Sequence, residues 1–199
     1  MNGKFNILYL IAFFLLTFQF VMAQANENLP YYEIPAYPEK YNACTVTARV
    51  IDGLGFRYYW ATEGLRPEDL DFKPSQDART TKETLDHIYG LVNVVANAVK
   101  QVPNTGDLPA LTFAEQRRQT LLLLKETSDM LKASKPKQMK RFKMIFQREG
   151  SSTEYPFWNE LNGPLSDALW HVGQVVSFRR SSGNPFNSKA SVLQGKLRE

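Results

Sequence analysis

Residues 162–185 read NGPLSDALWHVGQVVSFRRSSGNP, and this stretch decides how the rest of the chain is read. Asn162-Gly163-Pro164 predicts a helix start with proline at the first helical position, where its missing N–H costs nothing. Leu165, Ala168, Leu169, Val172, Val175, Val176 and Phe178 recur at helical spacing and make one stripe apolar. Ser181 to Pro185 stops the helix with Gly183 and then Pro185. Asp167 and His171 stand four apart, which sets a carboxylate and an imidazole on one face, one turn from each other.

The 199-residue chain has one other histidine. His87 closes Glu83-Thr84-Leu85-Asp86-His87, so it too follows a carboxylate by one turn. Its helix opens at Thr80 or Thr81, because Thr80 with Glu83 three residues on matches a capping box. Leu85, Ile88, Leu91, Val92, Val95 and Val99 form the stripe, and Pro103 closes it. Two more helices are expected outside this pair. Cys44 to Thr62 carries Val46, Val50, Ile51, Leu54, Tyr58 and Tyr59 at helical spacing. Gly53 and Gly55 within it predict close approach of another helix. Phe113 to about Ala133 carries Leu121, Leu124, Thr127, Ser128 and Leu131. Lys140 to Trp158 is less regular, with Phe142 to Phe146 reading as a short strand or an extended crossover. Four helices around one core, with one long crossover, predict an all-α four-helix bundle over residues 42–185.

The ends are different in kind. Lys4 followed by the apolar run Ile7 to Val21, with small residues at Ala23 and Ala25, reads as a signal peptide over residues 1–25. The run is short for a bilayer span and a polar stretch follows at once, so cleavage is expected over a retained anchor. The expected location is therefore exported, periplasmic or secreted. Residues 26–41 hold Pro30, Pro35 and Pro38 too close together for a helix and read as an extended arm with four tyrosines. Residues 186–199 form a polar tail expected to be mobile.

Composition narrows the function classes. The formal charge is +4, and removing the segment that carries Lys4 lowers it by one, which is too mild a balance to imply nucleic acid. The basic residues from Lys135 to Lys143 read as a solvated helix end and loop. Cys44 is the only cysteine, so no internal disulfide forms and stability must come from packing. At the start of an apolar helix it reads as a buried small hydrophobe. Asp52-Gly53-Leu54-Gly55 has no strand before it and is no dinucleotide loop. Ser151 and Ser152 lack the strand-turn-helix setting of a hydrolase nucleophile. Tyr58, Tyr59 and Trp60 read as core or dimer-face residues.

The histidines remain. Each alone reads as a helix histidine bonded to a neighbour, whereas two of them on helices of one bundle point to a metal. Asp167 and His171 can ligate one ion from one helix, with His87 completing the set from another. Three protein ligands leave open positions, the arrangement of a catalytic centre. Two imidazoles and one carboxylate suit Zn²⁺, Ni²⁺ or Fe²⁺ better than Ca²⁺. Glu83 has a competing use as the capping residue, and Asp86 points about 100° away from His87 around the helix toward solvent. Arg179 and Arg180 fall in the last turn, where cations favour the helix dipole; Arg179 is also a candidate anion contact at the site mouth.

The segment His171-Val172-Gly173-Gln174-Val175-Val176, followed by Arg179 and Gly183-Asn184-Pro185, resembles the closing helix of the DinB/YfiT-like superfamily. His87 falls on the second helix, where that family also places a histidine. The resemblance spans roughly Cys44 to Pro185. It implies a four-helix bundle in up-down-down-up order, often a homodimer, holding a divalent metal through three histidines. His87 and His171 match two of those ligands, and Asp167 stands where the family keeps the third histidine. Family members include transferases and isomerases that use low-molecular-weight thiols; those thiols are cytosolic, and the expected export of this chain argues against that activity. The reading is a metal-dependent hydrolase or transferase acting on an unidentified small molecule. Its alternative is a non-enzymatic binding or structural module with a degenerate metal site.

Overall fold

Three polar residues set where the first three long helices begin. Asn42 Oδ1 accepts from the N–H groups of Cys44 and Thr45 at 2.9 and 3.2 Å. Thr80 and Thr112 each close a reciprocal capping box, with Glu83 and Glu115. These side chains satisfy donors that a first helical turn leaves without partners. In the computed structural model, which describes residues 29–199, they launch α1 (Ala43–Thr62), α3 (Thr81–Lys100) and α4 (Phe113–Ala133), with a short α2 (Pro67–Asp71) after α1. The expected signal peptide and the first residues of the arm lie outside the described residues.

The final helix begins differently from the sequence expectation. The chain is already helical at α5 (Phe157–Glu160), passes through a π-helical turn (Leu161–Leu165), and continues as α6 (Ser166–Ser181). Pro164 sits inside that turn, not at a helix start, and Gly163 absorbs the irregularity at φ −97°, ψ −110°. Burial of Phe157 draws the chain into helix early, and Ser166 Oγ takes up the Leu161 carbonyl at 2.6 Å. The stop is as read: Gly183 adopts φ +82°.

The chain is mostly helical, with six α-helices among the described residues, but it is not purely all-α. β1 (Lys143–Arg148) and β2 (Ser151–Pro156) pair antiparallel about a Glu149-Gly150 turn, with Gly150 at φ +72°. Met144 faces the core, and the strand edge is stitched to the loop after α3: Asn104 N–H donates to the Ile145 carbonyl at 2.7 Å and Gln147 N–H to the Asn104 carbonyl at 2.9 Å. The tail is also placed. β3 (Ala190–Ser191) pairs with β4 (Lys196–Leu197), and Ala190 packs on Phe56 and Trp60. The tail, expected to be mobile, lies here over an apolar patch on α1.

The four long helices touch in a ring, α1 to α4, α4 to α3, α3 to α6 and α6 to α1. Ile51, Leu54 and Tyr58 meet Leu85, Ile88 and Val92, Leu121 and Leu124, and Ala168, Val172 and Val175 in one core. Val46 and Val50, expected in the stripe, are instead exposed. Phe72, before α3, packs at a tilt against Phe178, near the end of α6, with ring centroids 6.1 Å apart, while His87 further along α3 meets Asp167 at the start of α6, so the two helices run antiparallel.

Gly55 serves the arm, not a neighbouring helix. A Cβ there would lie 2.4 Å from Tyr31 Cδ2, and Gly53 faces only the Arg57 guanidinium. Tyr31 is buried with φ +75°, and its hydroxyl donates to Asp52 Oδ1 at 3.0 Å. Asp52, also buried, accepts from Lys132 Nζ of α4 at 2.7 Å. Gly55→Ala must expel the Tyr31 ring and is expected to cost about 2–3 kcal/mol, measured by urea unfolding. An unchanged midpoint would show the arm to be dispensable.

Glu160 is fully buried, and among the described residues no hydrogen-bond donor reaches either of its oxygens. Burial pushes its carboxyl up to about 8 from an ordinary 4.5. The folded chain thus holds a proton that the unfolded chain releases, so stability falls as pH rises from about 4.5 and levels off above about 8. Glu160→Gln should match the parent in acid and exceed it, on the order of a few kcal/mol, at pH 8.5. Melting curves that stay superimposed across that range would refute the assignment.

Candidate metal centre

The antiparallel packing of α3 on α6 brings the three expected residues together. His87 Nε2 lies 3.2 Å from Asp167 Oδ2, and His171 Nε2 lies 3.3 Å from Asp167 Oδ1. The imidazole rings meet edge to face, 4.7 Å between centroids. One ligand atom from each residue falls within 4.8 Å of the others, so the group could hold a metal ion. Side-chain exposure is 35% at His87, 39% at Asp167 and 14% at His171, which leaves the cluster reachable from solvent on one side. Asp167 bridges the two imidazoles with one oxygen each.

Gln174, one turn beyond His171, was quoted in the sequence only as part of a motif. Its Oε1 lies 2.7 Å from His171 Nδ1. With Nδ1–H donating to that oxygen, a neutral His171 presents its Nε2 lone pair to Asp167. Two acceptors at 3.3 Å repel unless a cation lies between them. Its i+3 spacing from His171 was the available signal, since residues three apart on a helix are neighbours.

The other candidates separate. Glu83 is exposed and caps α3, its Oε2 accepting from Thr80 N–H at 2.7 Å, and this bonding lowers its carboxyl below the usual range. Asp86 is paired with Lys82 and accepts from Gln116 Nε2 at 2.6 Å, so it is tied and only half exposed. Cys44 is buried, as read.

Arg179 is the clear correction. It does not face the site mouth: it is buried, and its Nη1 donates to the carbonyls of Trp60, Ala61 and Glu63 at 3.0–3.1 Å. Nε and Nη2 go to Asn184. The guanidinium thus caps the carbonyl end of α1, where the helix dipole is negative. Next to it, the buried Asp69 of α2 accepts from Arg66, Ser182 and Asn184, and these bonds hold its carboxyl well below the usual carboxylate range. Periodicity placed Arg179 in the last turn but could not show that α1 ends beside it.

Comparison with protein families, curated proteins and solved structures finds no match.

Arg179→Met leaves several α1 carbonyls without donors and should cost about 2–4 kcal/mol in urea unfolding. A variant as stable as the parent would return Arg179 to the list of ligand contacts.

Proposed function

We propose that this protein is an exported, DinB-like four-helix bundle that holds one divalent metal ion at His87, Asp167 and His171. The observation that carries the reading is the convergence of these side chains from α3 and α6, eighty positions apart for His87 and Asp167. The helix ring and the antiparallel α3–α6 pair support the bundle. The donor set fits: two imidazoles and one carboxylate satisfy Zn²⁺, Ni²⁺ or Fe²⁺, and Gln174 fixes the tautomer that turns the His171 Nε2 lone pair inward. Such an ion supplies Lewis acidity toward a substrate oxygen or an acidified water, the chemistry of a hydrolase or transferase. His87, Asp167 and His171 hold it, while Gln174 orients an imidazole without touching it. Exposed apolar residues that the homodimer implied by the resemblance could cover include Val46 and Val50 of α1 and Trp170 of α6.

One observation favours the alternative, a non-enzymatic module. Asp167 already reaches both imidazoles, so with Nε2–H on each ring and the Gln174 amide turned to donate N–H to His171 Nδ1, the trio is satisfied without a metal.

Metal analysis of the purified protein beside His171→Ala separates the two. The parent should carry close to one equivalent of metal and the variant far less; equal contents would sink the site. Gln174→Leu should retain the fold and weaken metal binding about 10–100-fold in a competitive chelator titration. Unchanged affinity would show that Gln174 does not position His171.

A further inference from the structure

We infer that the groove running from His87 along α3 binds a short peptide, with its free C-terminal carboxylate at Arg148. The groove holds about 430 Å³ between α3, the 103–108 loop and the end of β1. This deepens the metal-site reading and rests on it only for the direction in which the ligand lies.

Length comes first. From His87 at one end to Asn97 at the other, α3 rises about 15 Å, at 1.5 Å per residue. An extended peptide covers about 3.5 Å per residue, so about four residues fill the groove. The lining matches a peptide in kind. Leu91, Val94 and Phe146 offer apolar surface, and between them stand the amides of Asn93, Asn97 and Gln147. Asn93 Nδ2 donates to the Tyr89 carbonyl and Asn97 Nδ2 to Asn104 Oδ1, at 2.8 and 2.9 Å. Neither side-chain oxygen has a donor among the described residues, which leaves both able to accept ligand N–H groups. A peptide presents N–H, C=O and apolar side chains in alternation, as this wall requires.

Charge selects the carboxylate terminus as the anchored end. Arg148 and Asp107 both line the groove, on the two walls that Asn104 stitches together. Neither forms an ion pair or side-chain hydrogen bond among the described residues. Arg148 is a fork for a carboxylate. Asp107 disfavours a dianion and favours a ligand with N–H groups beside its carboxylate, which a peptide C-terminus has. Gly90, one turn from His87, keeps the metal end open: a Cβ there would meet nothing within 4 Å among the described residues.

The probe is the tripeptide Ala-Leu-Ala, titrated calorimetrically into the full, chelator-treated protein beside its C-terminal amide. The free acid should bind, and both the amide and the Arg148→Ala variant should weaken binding about tenfold or more. Gly90→Leu should abolish binding without lowering the melting temperature, because it fills the groove while replacing a helix glycine. Equal binding of acid and amide, undiminished binding by Gly90→Leu, or no binding of the free acid overturns the inference. Repeating the titration after Zn²⁺ loading keeps the two readings apart. Failure to load Zn²⁺ leaves the metal-free comparison standing, whereas Zn²⁺ binding without peptide binding overturns the groove alone.

Discussion

The contact between α3 and α6 is the constraint on which the site depends. Leu85, Ile88 and Val92 on one helix and Ala168, Val172 and Val175 on the other interlock in the core. Antiparallel packing of those stripes fixes the height at which each partly exposed residue meets its opposite. His87 lies between Leu85 and Ile88, and Asp167 and His171 flank Ala168. The polar cluster is therefore held in place by apolar neighbours, and small repacking of this pair would move ligand atoms by distances that matter to a metal.

Around this pair the molecule spends polar groups on fastening its ends. The arm is held by Tyr31 on Asp52 and by the Tyr32 carbonyl, which accepts from Trp60 Nε1 at 3.2 Å. The tail closes on the same region through Ile34 N–H and the Gly195 carbonyl at 2.8 Å. Arg179 and Asp69 tie the end of α6 to the end of α1 and to α2. In a chain whose only thiol is buried, these fastenings do the work that cross-links do elsewhere. Glu160 is the exception, a buried carboxyl with no donor among the described residues, set just before the π-helical turn that leads to Asp167.

Helix capping explains why the second carboxylate–histidine pair dissolves. Glu83 and His87 match Asp167 and His171 in spacing, yet Glu83 is drawn to the Thr80 N–H at the start of α3. A carboxylate in a first turn finds unsatisfied N–H groups close by, and that local demand keeps Glu83 at the helix start. The asymmetry of the cluster, two imidazoles and one carboxylate, follows from this.

Much was legible in one dimension. Thr80 and Glu83 announced a helix start, Leu121 to Leu131 a buried stripe, Gly183 a stop, and the i, i+4 spacing of Asp167 and His171 a shared face. Each is a relation between residues within a turn or two, where covalent geometry fixes distance. The rest required the chain to fold back. No local pattern shows that Gly55 faces Tyr31, that Arg179 lies under the end of α1, or that Pro164 sits inside a turn and not at a helix start. Those outcomes depend on which segments share space: Tyr31 buried against α1, the carbonyl end of α1 beside Arg179, and Phe157 buried ahead of the turn. The amino-acid sequence determined which residues could hold an ion; only the packing of α3 against α6 decided that His87 would meet the other two.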